Sequence, residues 1–298
     1  MSRDANLGAI LTAMVTPFGA DGELDTHAAR RLMRHLVEHG SDGVVVAGTT
    51  GEAPTLSDRE KLALVEAAVD ELGDEATVVA GTGSNDTAHS IALTREASAR
   101  GVDAVLVVTP YYNKPPRQGI LEHFKAVAGA TDLPVFVYNI PGRCVINLDP
   151  DLLGEIGEIE NVVAVKQANS DLDQARQVVE NSGLALYAGD DNLIRPFAEI
   201  GGAGGICVAS HLFGDRISEM FEAARDGDSA RASEIDAELQ DAYETLGTTA
   251  LTITTKAALN LLGLEVGTPR LPLIEASEQE LAAVRGLLER HGLVASAA

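Results

Sequence analysis

The sequence predicts an α/β protein built as a (β/α)8 TIM barrel with a small helical subdomain at its carboxyl end. Three observations carry that prediction. Eight short apolar runs recur along the chain, each followed by a stretch of helical period; hairpin signals between them are absent; and 298 residues is a length that one such barrel reaches as a single domain. Parallel strands joined by helices close most simply into a cylinder. A doubly wound open sheet is the competitor, but it needs an edge strand with a polar face, and no run here alternates in that way.

The first run, residues 9–15, leads through Thr16-Pro17-Phe18 to a turn at Asp21-Gly22 and then a helix over 26–39. Leu32, Leu36 and Val37 share a face of that helix, and Gly40 ends it. The second strand, 43–47, opens onto Gly48-Thr49-Thr50-Gly51-Glu52, and Ser57-Asp58-Arg59-Glu60 is a capping box that starts the next helix. A third strand, 77–80, ends in Gly81-Thr82-Gly83 ahead of a helix capped near Asn85 or Asp86. The fourth, 104–108, ends in Thr109-Pro110-Tyr111-Tyr112-Asn113, and the fifth, 135–138, in Asn139-Ile140-Pro141-Gly142-Arg143. Asp149-Pro150 begins a helix with proline at its first position. The sixth strand is 162–166, the seventh 185–188, and the eighth 206–209, with Gly201, Gly202, Gly204 and Gly205 ahead of it as a tight helix-to-strand connection. Beyond residue 227 the pattern is helical at 230–246, 251–262 and 278–291, the last begun by the capping box Ser277-Glu278-Gln279-Glu280. The expected division is a barrel of residues 1–226 and a helical subdomain of residues 227–298.

Charge narrows the function classes. A formal charge of −23 repels nucleic acid and anionic membranes. The acidic excess and the preference for arginine over lysine fit a salt-adapted chain and a high-GC source equally. Cys144 and Cys207 make no disulfide framework, and neither has a second Cys or His at metal-ligand spacing. No apolar stretch approaches the ~18 to 20 residues that span a bilayer, and residues 1–6 are too polar for a signal peptide. A cytoplasmic protein is expected.

Sites in a barrel of this kind collect at the carboxyl ends of the strands. Val162-Val163-Ala164-Val165-Lys166 is an apolar run that ends there in an amine. Burial at such a place disfavours the ammonium form, and a neutral amine can attack a ketone to form a Schiff base. The plainer alternative is a lysine that snorkels into water. Thr49 and Thr50 follow strand two, Tyr111 and Tyr112 strand four, and Tyr138 ends strand five, so all share one rim with Lys166. The Gly48–Gly51 loop can surround a carboxylate with N–H groups and two hydroxyls, or be an ordinary turn. Tyr138 can pass protons to and from a carbinolamine if its phenol meets Thr49, or be an amphipathic core tyrosine. Arg143 can fork onto a second carboxylate, or be a solvated loop arginine.

Together, Gly-Thr-Thr-Gly-Glu at 48–52, Val-Thr-Pro-Tyr-Tyr-Asn at 108–113, Tyr-Asn-Ile-Pro-Gly-Arg at 138–143 and the strand ending at Lys166 resemble the dihydrodipicolinate synthase family. That family lies within the class I aldolase and N-acetylneuraminate lyase superfamily. The resemblance covers nearly the whole chain, including Gly-Thr-Pro-Arg-Leu-Pro at 267–272. It implies condensation of pyruvate with L-aspartate 4-semialdehyde to 4-hydroxy-tetrahydrodipicolinate, which opens lysine and diaminopimelate synthesis. It further implies Lys166 as the Schiff-base residue, and Tyr138, Thr49 and Tyr112 as a proton relay. Thr49 and Thr50 would hold the pyruvate carboxylate, Arg143 the semialdehyde carboxylate, and the Ile206 carbonyl would line the site. Tyr112 would reach into a neighbouring subunit, making the working unit a homodimer at least and usually a homotetramer. No metal or organic cofactor is implied, because the Schiff base on the lysine itself makes the substrate carbon electrophilic.

Arg143 selects within the superfamily: sialic acid lyases resemble this chain elsewhere but carry an apolar residue there, and Ser-Thr in place of Thr49-Thr50. Two departures bear on aldehyde preference. Gln167-Ala168-Asn169-Ser170-Asp171 stands where the family usually has Glu-Ala-Ser or Glu-Ala-Thr, then Gly and an acidic or amide residue, and Cys144 replaces a usual Thr or Ser. A third bears on regulation. Lysine-inhibited members hold the effector with histidines and a glutamate at places occupied here by Asp58, Lys61 and His89, although Asn85 and Tyr111 remain. Little or no inhibition by L-lysine is therefore expected.

Three other readings compete. A pyruvate-dependent aldolase acting on a 2-keto-3-deoxy sugar acid would share the Schiff base. A non-catalytic descendant used for binding or regulation would have marked itself by loss of Lys166 or Tyr138, and both are present. A phosphate-binding barrel would want glycines after strands seven and eight, where Gly189-Asp190-Asp191 is instead acidic.

Overall fold

The computed structural model describes residues 7–295, so the polar amino-terminal residues discussed above lie outside it. Eight strands pair in parallel in chain order: β1 (Ile10–Ala13), β2 (Gly43–Val46), β3 (Thr77–Gly81), β4 (Ala104–Val108), β5 (Val135–Asn139), β6 (Val162–Gln167), β7 (Ala185–Ala188) and β8 (Gly204–Cys207). Pairing of β8 with β1 closes the barrel. Between strands run α1 (Thr26–Glu38), α2 (Asp58–Leu72), α3 (Thr87–Ser98), α4 (Arg117–Ala128), the single turn α5 (Pro141–Cys144), α6 (Pro150–Gly157), α7 (Leu172–Asn181) and α8 (Ile194–Glu199). After β8 come α9 (Ser210–Arg225), α10 (Ser229–Leu246), α11 (Leu251–Leu261) and α12 (Glu278–Arg290); α10 packs on α9 and α12 on α11.

Local chemistry fixes the helix starts. The carboxylates of Asp25, Asp86, Asp149 and Asp171 each accept a free backbone N–H in the first turn of α1, α3, α6 and α7. Both expected capping boxes form, Ser57 with Glu60 and Ser277 with Glu280. Alternation along the strands then makes two cores. Val44, Val46, Val135, Val137 and Val165 point outward against the helices, whereas Val45, Phe136, Tyr138, Ala164 and Ile206 fill the barrel interior.

Strands β5 and β6 carry one irregularity. Val135 faces Val162, but the next pair is Phe136 with Ala164, which leaves Val163 as an extra residue on β6. Val162 faces the helices. Strict alternation would turn Lys166 the same way, because it lies four positions further on. The slip reverses the phase, so Lys166 enters the interior beside Tyr138 and Gln167 turns outward beside Asn139.

The eighth strand departs from the sequence expectation of 206–209. It begins two residues earlier, and Gly204 and Gly205 belong to the strand rather than to a connection ahead of it. Glycine disfavours strands in general, which is why its place there does not show in composition. Close approach is what requires it: a Cβ on Gly204 would lie 1.9 Å from the Ala9 carbonyl oxygen, and Gly205 donates to that same oxygen at 2.8 Å. At the other end the strand stops because the Val208 and Ala209 N–H groups donate to Asp191 Oδ1 at 2.8 and 3.2 Å instead of to a neighbouring strand. Gly204→Ala is therefore expected to lower the midpoint of thermal unfolding markedly, by roughly 1–3 kcal/mol or more of stability. Gly154→Ala, in α6 with only the Asn181 carbonyl near at 3.9 Å, is expected to raise it by roughly 0.5–1 kcal/mol.

His211, at the start of α9, ties β1 to β8. The Val15 N–H donates to its Nε2 at 3.1 Å, so Nδ1 carries the proton and donates to the Val208 carbonyl at 2.7 Å. Burial pushes its pKa down to about 4, against 6.5 for the free group. The folded state thus binds fewer protons than the unfolded one between those values, so this contribution is complete above pH 6.5 and is lost as pH falls toward 4. The full loss is about 3 kcal/mol. Urea unfolding between pH 7 and 5 should show a smaller decline in a His211→Gln variant than in the unaltered chain, with His123, also buried and held at about 4, carrying a further share.

Candidate active site

The slip in β6 places the Lys166 amine 4.4 Å from the centre of the Tyr138 ring, across the paired ends of β5 and β6. Both residues are 5 % exposed. Burial pulls the Lys166 pKa down to about 8, with the carboxylate of Asp190 and then Asp191 acting in the opposite direction. A substantial fraction of the amine is therefore neutral near pH 8. Burial also raises the Tyr138 phenol above its ordinary value, opposed by the Arg143 charge and by a hydrogen bond with Thr49. The phenol is thus a neutral proton donor and acceptor rather than a phenolate.

Backbone bonds hold these groups from behind. The Thr109 N–H and its hydroxyl both donate to the Tyr138 carbonyl at 2.9 Å. Cys144, whose thiol burial pushes up to about 11, donates through Sγ to the Thr109 carbonyl at 3.2 Å. Behind β5 and β6 lies a set of amides. Asn139 Nδ2 donates to Asn147 Oδ1 at 2.9 Å and to Gln167 Oε1 at 3.0 Å, and the Leu148 N–H donates to Asn139 Oδ1 at 3.0 Å. Gln174 Nε2 donates to the Leu148 carbonyl at 2.6 Å, and Asn169 Nδ2 to Gln174 Oε1 at 3.1 Å. Gln167, where the resembling family usually has a glutamate, is thus a buried neutral link between the two strands that carry Tyr138 and Lys166.

Thr49, Tyr112, Tyr138 and Arg143 line one cavity of about 980 Å³. Lys166, Thr50 and Ile206 are not on its wall: Thr50 is buried with its carbonyl taking the Thr252 hydroxyl at 3.1 Å, and Ile206 is fully buried in the barrel interior. Tyr112 stands apart from the rest, 88 % exposed, on a left-handed backbone with φ of 71°. Asp58, Lys61 and His89 line the same cavity, where His89 Nε2 meets both Asp58 oxygens at 2.9 Å and Lys61 Nζ lies 3.6 Å from Oδ1. A second hollow of about 560 Å³ lies at the amino ends of the strands, among Asp42, Asp74, Glu75 and Asp103, and would repel an anionic substrate.

Sequence reasoning missed three features. Asp190 was read only as a group hostile to phosphate, yet its carboxyl is the largest charge acting on Lys166. Asp191 is buried, pushed up to about 6, and caps the residues after β8. Adjacent acids after a strand were the available signal. Lys256 and Glu52, far apart in sequence, form a fully buried ion pair that no local pattern marks. Among the described residues, no group of three or more His, Cys, Asp or Glu could hold a metal ion, and no helix is long and apolar enough to cross a membrane.

The sequence profile of the dihydrodipicolinate synthetase family matches residues 6–291. The chain is similar to the 4-hydroxy-tetrahydrodipicolinate synthase of Desulforudis audaxviator, 49 % identical over 291 residues that cover 97 % of this chain and 99 % of that one. It is also similar to the crystal structure of dihydrodipicolinate synthase from Bacillus anthracis (40 % identity, TM-score 0.92, covering 95 % of this chain and 98 % of that one). The lysine-bound structure from Cyanidioschyzon merolae is a further neighbour (40 % identity, TM-score 0.94, 97 % and 99 % covered). By fold, by the residues its barrel gathers at one rim and by likeness along its length, this chain belongs to the dihydrodipicolinate synthetase family.

Proposed function

We propose that this chain condenses pyruvate with L-aspartate 4-semialdehyde to give 4-hydroxy-tetrahydrodipicolinate, through a Schiff base on Lys166. The observation that carries the reading is a buried amine, with its pKa lowered to about 8, set 4.4 Å from the ring of a neutral phenol. Lys166 Nζ attacks C2 of pyruvate to give a carbinolamine. Tyr138, relayed through Thr49, carries the amine proton to the departing hydroxyl, which leaves as water. The iminium formed draws electrons from C3; loss of a C3 proton to the Tyr138 relay gives an enamine, whose C3 attacks the aldehyde carbon as the relay returns a proton to the aldehyde oxygen. The amine of the semialdehyde then adds to C2 and releases Lys166.

Each further residue takes the role that the family resemblance implies. The hydroxyls and N–H groups of Thr49 and Thr50 take the pyruvate carboxylate, and Arg143 forks onto the carboxylate of the semialdehyde. A cation there suits a short acid better than a polyhydroxylated chain, which favours this reading over a sugar-acid aldolase. The Ile206 carbonyl faces the bound pyruvate. Tyr112 completes the relay from a second copy of the chain: within one chain it is 88 % exposed on a left-handed backbone, free to be covered by a neighbouring copy. The working unit is then a homodimer or homotetramer, acting in the cytoplasm.

Borohydride reduction with pyruvate should add a 1-carboxyethyl group to the Lys166 peptide and nowhere else. Its initial rate should climb as pH passes about 8 and then level, because the free amine reacts and the ammonium does not. Tyr138→Phe should slow the condensation by roughly 10²–10⁴-fold, and a panel of aldehydes should show the semialdehyde preferred. An adduct on another lysine, or none, refutes the reading. Activity measured across an L-lysine titration should stay above half at submillimolar effector, since His89, paired with Asp58, stands where an ammonium-binding carboxylate would be needed.

A further inference from the structure

We propose that the buried ion pair between Glu52 and Lys256 is a positioning device for the loop that carries Thr49 and Thr50, setting where their donors meet the pyruvate carboxylate. The proposal rests on the carboxylate-binding role given to those threonines above. Glu52 closes the loop through its main chain: its N–H donates to the Thr49 carbonyl at 3.1 Å, and the next residue, Ala53, donates to the Gly48 carbonyl at 3.2 Å. It does so with φ of 59° and ψ of 34°, a left-handed conformation that a residue with a side chain keeps only where its surroundings enforce it.

The enforcing groups come from the carboxyl-terminal part of the chain. Lys256, on α11, places Nζ 2.8 Å from Glu52 Oε1, with both side chains 1 % exposed. The Arg270 N–H donates to Oε2 at 2.8 Å. Lys256 is itself fixed by the Thr268 carbonyl at 3.2 Å and by the face of Phe18, 4.1 Å from its centre. Arg270 covers the same ring at 4.1 Å, donates to the Gly22 carbonyl at 2.8 Å and the Thr55 carbonyl at 2.9 Å, and pairs with Glu60. One turn before Lys256, the Thr252 hydroxyl holds the Thr50 carbonyl. Helix α11 thus grips the loop at Thr50 and at Glu52, on both sides of Gly51.

Stability alone does not account for such a pair. Two charges taken out of water roughly break even against apolar side chains of the same volume, which would also hold α11 against the loop. An apolar contact has no direction, however, whereas the Lys256 ammonium on Oε1 and the Arg270 N–H on Oε2 together fix the carboxylate, and with it the turn that presents Thr49. The pair touches no substrate; it acts through the backbone of the threonines.

The test compares the unaltered chain with the double variant Glu52→Gln/Lys256→Met, which removes both charges at nearly constant volume, and with Thr252→Val. Thermal midpoints, pyruvate KM, kcat and hydrogen exchange of residues 48–55 are read for each. The expected result is a thermal midpoint near that of the unaltered chain, a pyruvate KM raised on the order of ten-fold with a smaller change in kcat, and faster exchange confined to the loop. Thr252→Val should move KM and exchange in the same direction by less. A double variant that folds with unchanged KM and unchanged loop exchange overturns the proposal, as does a loss confined to kcat. If the double variant does not fold, Glu52→Gln alone, which keeps an acceptor for the Arg270 N–H and removes the carboxylate charge, decides by the same two readouts. If pyruvate is not trapped by the unaltered chain, the proposed activity fails, and loop exchange alone then decides whether the pair positions the loop.

Discussion

One extra residue in β6 is the constraint on which the site depends. Side chains in a strand alternate with a period of two, so an insertion of one residue inverts every position beyond it. Val163 supplies that inversion. Without it, an outward Val162 would put Lys166 among the helices and Gln167 in the barrel, and the amine would not have Tyr138 beside it. The inversion begins where Phe136 pairs with Ala164, so it also keeps the small residue opposite the large one inside the barrel. Packing and chemistry are set by the same local irregularity.

Burial then does different things to neighbouring groups. The same low-dielectric interior that favours the neutral form of Lys166 also favours the neutral form of Tyr138, so a base and a proton carrier are produced by one physical cause. Asp190 tempers the effect on the lysine without reaching a direct ion pair, which would hold the amine protonated. Arg143 and Asp190 are opposite charges at one mouth, and each acts on both Lys166 and Tyr138.

Most of the fold was legible because strands buried on both faces are continuous apolar runs and helices announce their starts with capping acids. The fourth and seventh strands fall where composition places them, and both capping boxes form. The eighth strand was misplaced because its glycines answer to a close approach by Ala9, a contact made by residues almost two hundred positions away. For the same reason the inward turn of Lys166 could not be read from 162–166: every residue there is apolar except the last, so alternation left no trace. The rim residues were legible through motifs at strand ends. The grip of α11 on the threonine loop was not, since Thr252, Lys256 and Arg270 look like ordinary helix and loop residues until the chain is folded.

The amides behind β5 and β6 have a consequence of their own. This chain carries 45 carboxylates against 22 fixed cations, so its long-range field changes with every shift in acidity or electrolyte. Asn139, Asn147, Gln167 and Gln174 bear no charge, take up no protons in the physiological range, and bond to one another and to backbone rather than to the acidic surface. The splint between the two strands therefore keeps its shape in brine and in dilute buffer alike, while the ionic skin around it tightens and loosens.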